Sequence, residues 1–430
     1  MSEPRLPLFH RSTSEIESSL DLWVTGAQHW TRLTLGPGGV SAVASALSLL
    51  GISLILRSLS DEEAGAFALL QALVQTIGLV AAMGFPTVVT RRYSRPIGNG
   101  YDWRRDTAGT VVFAMAPLTG AIVLARLAYE LPEAQLAFLF GSGAALVVLW
   151  VFSSMLSASG HYTWSSLIVR VPSALLLPIG LGSLFLPALR QLNTVIILQL
   201  AGTGVTVILA SYLMAQLLPR TGGAITLRER LQGIPFLLSS AILLIPDHVV
   251  VALGGAILTA PQLATYAAIA VLLRPFRLIR AVLSMVMMPE LIKRQRQHYW
   301  RLAVGLWGLA IAAALAAILL TPLVARWFYA GKYQEGYSLV PLLALAGVAH
   351  LTSVLPKSHL YGTAQSAFLN RFISAQVAGL GAALLVGGVL IARLGTVGLA
   401  LAVILAETSV TTISYVAWWR LRTANRPSMA

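Results

Sequence analysis

A stretch in the second half of the chain, Gly233 to Arg294, is apolar along most of its length yet carries ionisable side chains that could do chemistry. These side chains are Asp247, His248, Arg274, Arg277 and Arg280. In a chain that is 57% hydrophobic and 11% charged, an ionisable group inside an apolar segment costs about 2.5–3.5 kcal/mol on insertion scales. Each one therefore needs a partner, a water-filled cavity or a function. We predict that they belong to a translocation pathway.

The three arginines are three residues apart, so they cover roughly a 120° sector of one helix, which Pro275 is expected to kink. A guanidinium binds phosphate oxygens in a bidentate way and is less strongly hydrated than an ammonium, so this sector suits a pyrophosphate. Snorkelling to cytoplasmic head groups is an alternative explanation for Arg277 and Arg280. The sequence leaves both interpretations open.

Two acidic residues lie inside predicted membrane spans. Asp247 is expected near mid-depth, where it either forms an ion pair with Arg274 on the next helix or takes part in a proton or sodium cycle. Glu407 is central in the last predicted span, and it is either paired structurally or serves as a second coupling carboxylate. His248 is interpreted as a hydrogen-bonded polar residue, with titration near neutral pH as the alternative.

Further basic residues stand near the ends of predicted spans. Arg170 and Lys357 are candidate substrate-binding residues that line the cytoplasmic part of the pathway. Snorkelling explains Arg170 and its counterpart Arg371 equally well, and Lys357 and His359 are also explained as markers of the end of their span.

The elements that must position these residues are apolar runs long enough to cross a membrane. We predict an all-α membrane protein of about 12 transmembrane helices, because the runs approach the roughly 20 residues that a bilayer requires. The predicted spans are 38–56, 65–85, 107–126, 135–156, 164–187, 194–216, 233–256, 262–288, 302–325, 338–360, 367–391 and 395–419.

The distribution of basic residues predicts the orientation. Cytoplasmic loops carry an excess of Lys and Arg, so the richer side is expected to be inside. This places both termini in the cytoplasm. Of the 30 Lys and Arg residues, the opposite side then holds only Arg57, Arg126, Arg190, Arg326, Lys332 and Arg393.

The two halves of the chain repeat. Leu59-Ser60 and Phe67 correspond to Leu258-Thr259 and Tyr266 in the second half, and similar pairs recur along the rest of each half. A repeat of six spans predicts two pseudo-repeated six-helix lobes with substrate bound between them. The expected organisation is a cytoplasmic segment (1–37), a first lobe (38–218), a cytoplasmic linker (219–232), a second lobe (233–420) and a cytoplasmic tail (421–430).

Composition and motifs exclude several classes of protein. The chain has no cysteine, so disulfides, thiol catalysis and cysteine metal sites are excluded. It carries neither a Walker-A glycine loop nor an HExxH zinc motif, and its loops are too short for a soluble catalytic domain. We therefore expect no enzymatic activity, no cofactor and no metal. The net charge of +14 follows from the cytoplasmic bias of Lys and Arg, so we expect no nucleic-acid partner.

Several stretches resemble the bacterial polysaccharide, or O-antigen, flippases of the multidrug/oligosaccharidyl-lipid/polysaccharide exporter superfamily. They are LILRSLSDEEAGAFALLQALVQTIGLVAAMGFPTVVTRR (54–92), IPDHVVVALGG (245–255), the span from Tyr266 to Pro289, the region from Phe328 to Leu345, and RLGTVGLALAVILAE (393–407).

The resemblance implies a transporter in the bacterial inner membrane that moves an undecaprenyl-pyrophosphate-linked oligosaccharide from the cytoplasmic to the periplasmic leaflet. It would serve cell-surface polysaccharide synthesis, such as that of lipopolysaccharide O-antigen. The implied partners are this lipid-linked substrate, membrane lipids, a coupling proton or sodium ion, and a polysaccharide polymerase with its chain-length partner. Two alternatives remain: a small organic cation antiporter of the same superfamily, and a membrane glycan polymerase or ligase.

Overall fold

The computed structural model describes residues 38–93, 102–218, 225–231, 245–280, 299–364 and 366–424, together with positions 233, 237, 238, 242 and 283. Helices make up nearly all of that part of the chain, and no strand occurs in it. The predicted all-α class is therefore confirmed. The predicted segment 1–37 and residues 425–430 of the tail lie outside the described residues.

The described helices are numbered here in chain order. They are α1 (Gly38–Ser58), α2 (Asp61–Ala82), α3 (Phe85–Tyr93), α4 (Trp103–Tyr129), α5 (Glu133–Ala158), α6 (Tyr162–Ala174), α7 (Leu176–Phe185), α8 (Leu192–Leu217), α9 (Leu227–Leu231), α10 (Val250–Ile257), α11 (Ala260–Leu272), α12 (Tyr299–Tyr329), α13 (Val340–Thr352), α14 (Val354–Thr363) and α15 (Ser366–Ala424).

These helices supply ten of the twelve predicted spans and parts of the other two. Within the described residues, nine helical segments have the length and hydropathy to cross a membrane, α6 and α7 together forming one and α13 and α14 most of another. The longest of them breaks at Gly395 (φ 60°), where the backbone leaves the helical region, and so supplies the eleventh and twelfth spans. A π-helical turn (Ile245–Val249) with α10, and then α11, supply parts of the seventh and eighth.

Equivalent helices in the two halves of the chain begin with the same type of capping box. Ser60 caps α2 through a capping box with Glu63, and Thr259 caps α11 through a capping box with Gln262. In each box, the capping side chain accepts a backbone N–H that has no partner within the helix, and the residue three positions later returns the bond. The same local signal therefore starts the corresponding span in each lobe.

Packing groups the helices into two lobes. In the first, α2 packs on α4 and α5, and α5 packs on α6 and α8. In the second, α12 packs on α13, and both α13 and α10 pack on α15. The lobes meet where α2 lies against α11. A Cβ on Gly65 would lie 2.0 Å from the carbonyl oxygen of Ala260, so this approach requires glycine.

The outer surface is apolar. Large hydrophobic side chains on α4, α12 and α15 are 71–78% exposed, namely Val112, Leu127, Leu319, Trp327 and Leu385. A soluble protein rarely exposes such surface over several helices, whereas lipid accommodates it. The chain is therefore a multi-pass membrane protein.

Polar contacts close one end of the interface between the lobes. The carbonyl oxygen of Leu56, near the end of α1, accepts from the Tyr333 hydroxyl at 2.8 Å and from Lys332 Nζ at 3.3 Å. Lys332 Nζ also lies 3.2 Å from Asp61 Oδ1 at the start of α2. We call these four residues, Leu56, Asp61, Lys332 and Tyr333, the Lys332 latch.

At the opposite end, the described part of the predicted linker is bound to the first lobe. The Ile225 amide donates to the buried carboxylate of Asp106 on α4. Arg230 donates to a hydroxyl on α4 at 2.8 Å. Glu229 on α9 pairs with Arg92 on α3 at 2.9 Å. Residues 225–231 therefore belong structurally to the first lobe.

Candidate functional site

Two adjoining cavities lie along α11. The interlobe cavity, of about 70 Å³, is walled by α1 and α2 of the first lobe and by the π-helical turn, α10 and α11 of the second. Its polar lining residues are Gln71, His248, Tyr266, Arg274 and Arg277. The inner cavity, of about 50 Å³, lies between α11, α13 and α15, and its polar lining residues are Tyr266, Arg277, His350 and Glu407.

A break in the eighth span positions the first arginine. Helix α11 ends at Leu272, and the chain turns at Leu273 and Arg274 before it resumes a helix at 275–280. Pro275 has no N–H and disfavours helical backbone in the residue before it, which explains the turn. The predicted kink is present. The turn directs Arg274 towards the first lobe, where its Nη1 lies 3.4 Å from the Ser48 hydroxyl on α1.

Arg277 stands between the two cavities, because its half-buried side chain lines both of them. The described lining of the interlobe cavity includes two arginines and a histidine and no carboxylate. That cavity is therefore suited to an anionic group.

The third arginine belongs to a different cluster. Arg280 Nη1 lies 2.8 Å from Nδ1 and 3.0 Å from Nε2 of His350 on α13, and Nδ1 of the same ring lies 2.7 Å from Oε1 of Glu407 on α15. A guanidinium only donates and a carboxylate only accepts, so in a ring whose Nδ1 donates to Glu407, Nε2 is the atom left to accept from Arg280. His350 thus joins a cation to an anion inside the second lobe.

Lys357 adds a second cation to this cluster. Its side chain is buried on α14 and interacts electrostatically with both Glu407 and Arg280. His350 and Glu407 are buried as well, with 7% and 3% of their surface exposed. The predicted residues Lys357, Arg280 and Glu407 therefore converge, although the sequence suggested no connection between them.

The position of Asp247 is described only for its backbone, which lies in the π-helical turn beside Pro246. The Asp247 side chain lies outside the described part of the structure, so its ion pair with Arg274 stays a prediction. The neighbouring His248 is half-buried and faces the interlobe cavity.

Arg170 lies apart from these residues, in the first lobe. It lines a cavity of about 370 Å³ between α1, α2, α5 and α6, which we call the first-lobe cavity. Its polar lining residues are Ser41, Trp150, Ser153, Ser154, Ser165, Ser166 and Arg170. Arg170 and its counterpart Arg371 are both exposed.

Sequence reasoning missed His350 and the pair formed by Gln71 and Gln199. The two amides exchange hydrogen bonds of 2.8 and 3.2 Å between α2 and α8, beside the interlobe cavity. A signal for His350 was present, since it is an ionisable residue within an apolar helix. Its partners lie 57 and 70 residues away along the chain, so the sequence alone does not indicate them.

Comparisons with known proteins identify the fold. The lipid II flippase MurJ, in an inward closed conformation, has a TM-score of 0.62 at 12% identity, covering 90% of this chain and 92% of its own. An inward-facing multidrug resistance transporter of the MATE family, in the MOP superfamily, has a TM-score of 0.60 at 16% identity, covering 91% and 100%.

A MOP superfamily transporter from Pyrococcus furiosus, described as having a binding pocket of reverse polarity, has a TM-score of 0.53 at 14% identity and covers 92% of this chain and 97% of its own. No protein-family model and no curated protein matches the sequence. The chain therefore has the fold of MOP superfamily transporters.

Proposed function

We propose that the protein flips an undecaprenyl-pyrophosphate-linked oligosaccharide from the cytoplasmic to the periplasmic leaflet by alternating access, and that it has no enzymatic activity. The observation that carries this proposal is the placement of Arg274 and Arg277. Both line the cavity between the lobes, and the described wall of that cavity holds no acid.

The chemistry of these arginines matches a diphosphate. Each guanidinium can donate two parallel hydrogen bonds to phosphate oxygens, and such charge-assisted bonds are about twice as strong as neutral ones. Arginine also remains charged when it is partly removed from water, so it can hold the anion within the membrane.

The cavity must widen before it can accept such a head group, because about 70 Å³ is smaller than a pyrophosphate with an attached sugar. With the predicted orientation, the Lys332 latch lies on the periplasmic side. Loading would then occur from the cytoplasmic side, and release would require the latch to open. Alternating access requires one state open to each side of the membrane. Breaking and re-forming the contacts of the Lys332 latch would convert one state into the other.

The cluster around His350 offers a mechanism of proton coupling. A proton added at Nε2 turns this acceptor into a donor, which removes the hydrogen bond to Arg280. The positive ring then pairs with Glu407, and Arg280 is repelled towards the adjoining cavities. Protonation at Glu407 and His350 would in this way change the charge that faces the substrate, while Asp247 remains a second candidate for ion coupling.

A cation antiporter with the same fold is the competing function, and Glu407 is the observation that favours it, because a carboxylate lines the inner cavity. That carboxylate is already bonded to His350 and stands beside Arg277 and Lys357. A cation entering this site would meet net positive charge, so the arrangement favours an anionic substrate.

The test is leaflet-resolved measurement of lipid-linked sugar after depletion of the protein in its own host. We expect accumulation on the cytoplasmic leaflet, which the wild type reverses and Arg274→Ala does not. Arg393→Ala is the matched control, because it removes an exposed arginine that lines none of the three cavities.

The other outcomes either indicate a different function or contradict the arginine site. Sugar units that reach the periplasm but stay unjoined would indicate a polymerase or its partner. Unchanged lipid-linked sugar together with lost export of cationic dyes would indicate the antiporter. Full complementation by Arg274→Ala would contradict the arginine site.

A further inference from the structure

We infer that the first-lobe cavity binds the sugar portion of the substrate, while Arg274 and Arg277 bind its pyrophosphate. The inference rests on the proposed function and adds a second binding site to it. The site is formed by the serine hydroxyls of α1, α5 and α6, the indole of Trp150 and the guanidinium of Arg170.

Local helix geometry places these groups on one surface. On α5, Trp150, Ser153 and Ser154 follow the three- and four-residue spacing that brings side chains to the same face. On α6, Ser165 and Ser166 lie one turn before Arg170 on the face that packs towards α5. Two neighbouring helices therefore direct their hydroxyls into one space.

The hydroxyls in this cavity are available to a ligand. Elsewhere in the first lobe, Thr203, Thr206 and Ser211 donate to the carbonyl four residues earlier in their own helix. By contrast, the described residues provide no hydrogen-bond partner for the side chains of Ser154, Ser166 and Arg170. These groups are polar, face a cavity and are not used by the fold.

Ser153 and Ser165 are bonded to each other at 2.8 Å. Because each hydroxyl has one donor and two acceptor sites, this pair still offers one donor and further acceptors. A sugar presents the same mixture of hydroxyl donors and acceptors on a ring with apolar C–H faces. The flat indole of Trp150 supplies an apolar wall against which such a ring can lie.

The two cavities lie along shared helices. On α1, Ser41 lines the first-lobe cavity and Ser48, two turns later, contacts Arg274. On α2, Leu79 lines the first-lobe cavity and Ala72 lines the interlobe cavity. Each pair is seven residues apart, so its members share a helix face about 10 Å apart along the axis.

This separation matches a substrate whose diphosphate and sugar are joined directly. With the predicted orientation, the first-lobe cavity lies on the cytoplasmic side of Arg274. A lipid-linked head group that arrives from the cytoplasm would carry its sugar on that side. The cavity volumes agree with this assignment of the sugar and the pyrophosphate. The first-lobe cavity, at about 370 Å³, is larger than the interlobe cavity and would hold the larger sugar group.

The experiment compares two probes on the purified full-length protein. The probes are undecaprenyl pyrophosphate and undecaprenyl pyrophosphate that carries the sugar unit extracted from the host, and binding is measured in detergent by native mass spectrometry. The test variant is Ser153→Ala with Ser165→Ala, which removes both members of a bonded pair and so leaves no buried partner unsatisfied. Ser157→Ala with Ser173→Ala is the matched control on the same helices, outside the cavity.

We expect the test variant to weaken binding of the sugar-bearing probe about tenfold and to bind the sugar-free probe like the wild type. Arg274→Ala should weaken both probes. Equal effects of the serine variant on the two probes, or no effect on either, would overturn the sugar site.

Two results separate this inference from the proposed function. A wild type that binds the two probes equally well would refute the sugar site and leave pyrophosphate recognition standing. A wild type that binds neither probe would refute both. Displacement of the sugar-bearing probe by phosphatidylglycerol at equal concentration would identify the cavity as a lipid head-group site.

Discussion

At Arg274 the shape of the charged group matters as much as its charge. The side chain reaches from the break in the eighth span to Ser48 in the first lobe. We predict that Arg274→Ala weakens binding of undecaprenyl pyrophosphate at least about tenfold, because a hydrogen bond to a charged group contributes about 1.5–3 kcal/mol. Arg274→Lys should retain only part of the affinity, since an ammonium lacks the bidentate fork. Equal affinity in the Ala variant and the wild type would refute the assignment.

His350 gives a second prediction at the scale of single residues. The ring lies between Arg280 and Glu407, and among the described residues Arg277 and Lys357 also face this cluster. Glutamine can supply a donor and an acceptor but cannot become a cation. His350→Gln should therefore fold normally, and its transport in proteoliposomes should not respond to an imposed pH gradient.

His359→Gln provides the comparison for that experiment, because His359 is half-buried on α14, where it lies against Trp418 and interacts electrostatically with Arg422. It should keep the response of the wild type. If His350→Gln kept the response as well, the cluster would be structural rather than coupled to protons.

At the scale of helices, the sequence predicted features that depend only on residues close together in the chain. Ser60 and Thr259 were matched as repeat positions and cap the equivalent helices α2 and α11, and Pro275 predicted the break that positions Arg274. The polar cluster in the second lobe could not be predicted in this way. His350 and Glu407 come from separate spans, and only the packing of α13 on α15 brings them together.

The contact between α9 and α3 is expected to depend on pH. Burial raises the pKa of Glu229, but hydrogen bonds from Thr226 and the pairing with Arg92 outweigh it and hold the pKa below its ordinary value. A lowered folded-state pKa means that the stabilisation is complete above the ordinary glutamate pKa and is lost as the pH falls through the lowered value. The protection factors of residues 225–231 in hydrogen exchange, corrected for the intrinsic rate at each pH, should fall over that acidic range.

Arg92→Gln tests whether the pairing with Arg92 contributes to this pH dependence. It removes the cation that pairs with Glu229 at 2.9 Å and leaves the Thr226 capping contacts in place. The protection factors of residues 225–231 should then be lower at neutral pH, with a smaller further loss in acid. Identical profiles for the variant and the wild type would show that the linker is held by its other contacts.

At the scale of the whole molecule, hydropathy and the repeat were sufficient to predict twelve spans in two lobes. The closed end of the interface was not predictable, because Lys332 was interpreted only as one of the few basic residues on the outer side. Its pairing with Asp61 joins positions from different lobes. Periodicity within one helix indicates which face is buried, but it does not indicate which residue of the other lobe that face meets.

If opening of the Lys332 latch is required for release, fixing it should stop transport without preventing loading. The chain has no cysteine, so Asp61→Cys with Lys332→Cys creates a unique pair that a short cleavable bis-maleimide can join. We expect the joined protein to lose transport to background and to regain it when the linker is cleaved, while binding of undecaprenyl pyrophosphate persists throughout. Each single cysteine variant, treated identically, controls for the loss of the ion pair. Undiminished transport by the joined protein would mean that the lobes do not separate at this end, and that Arg274 and Arg277 release their anion by another route.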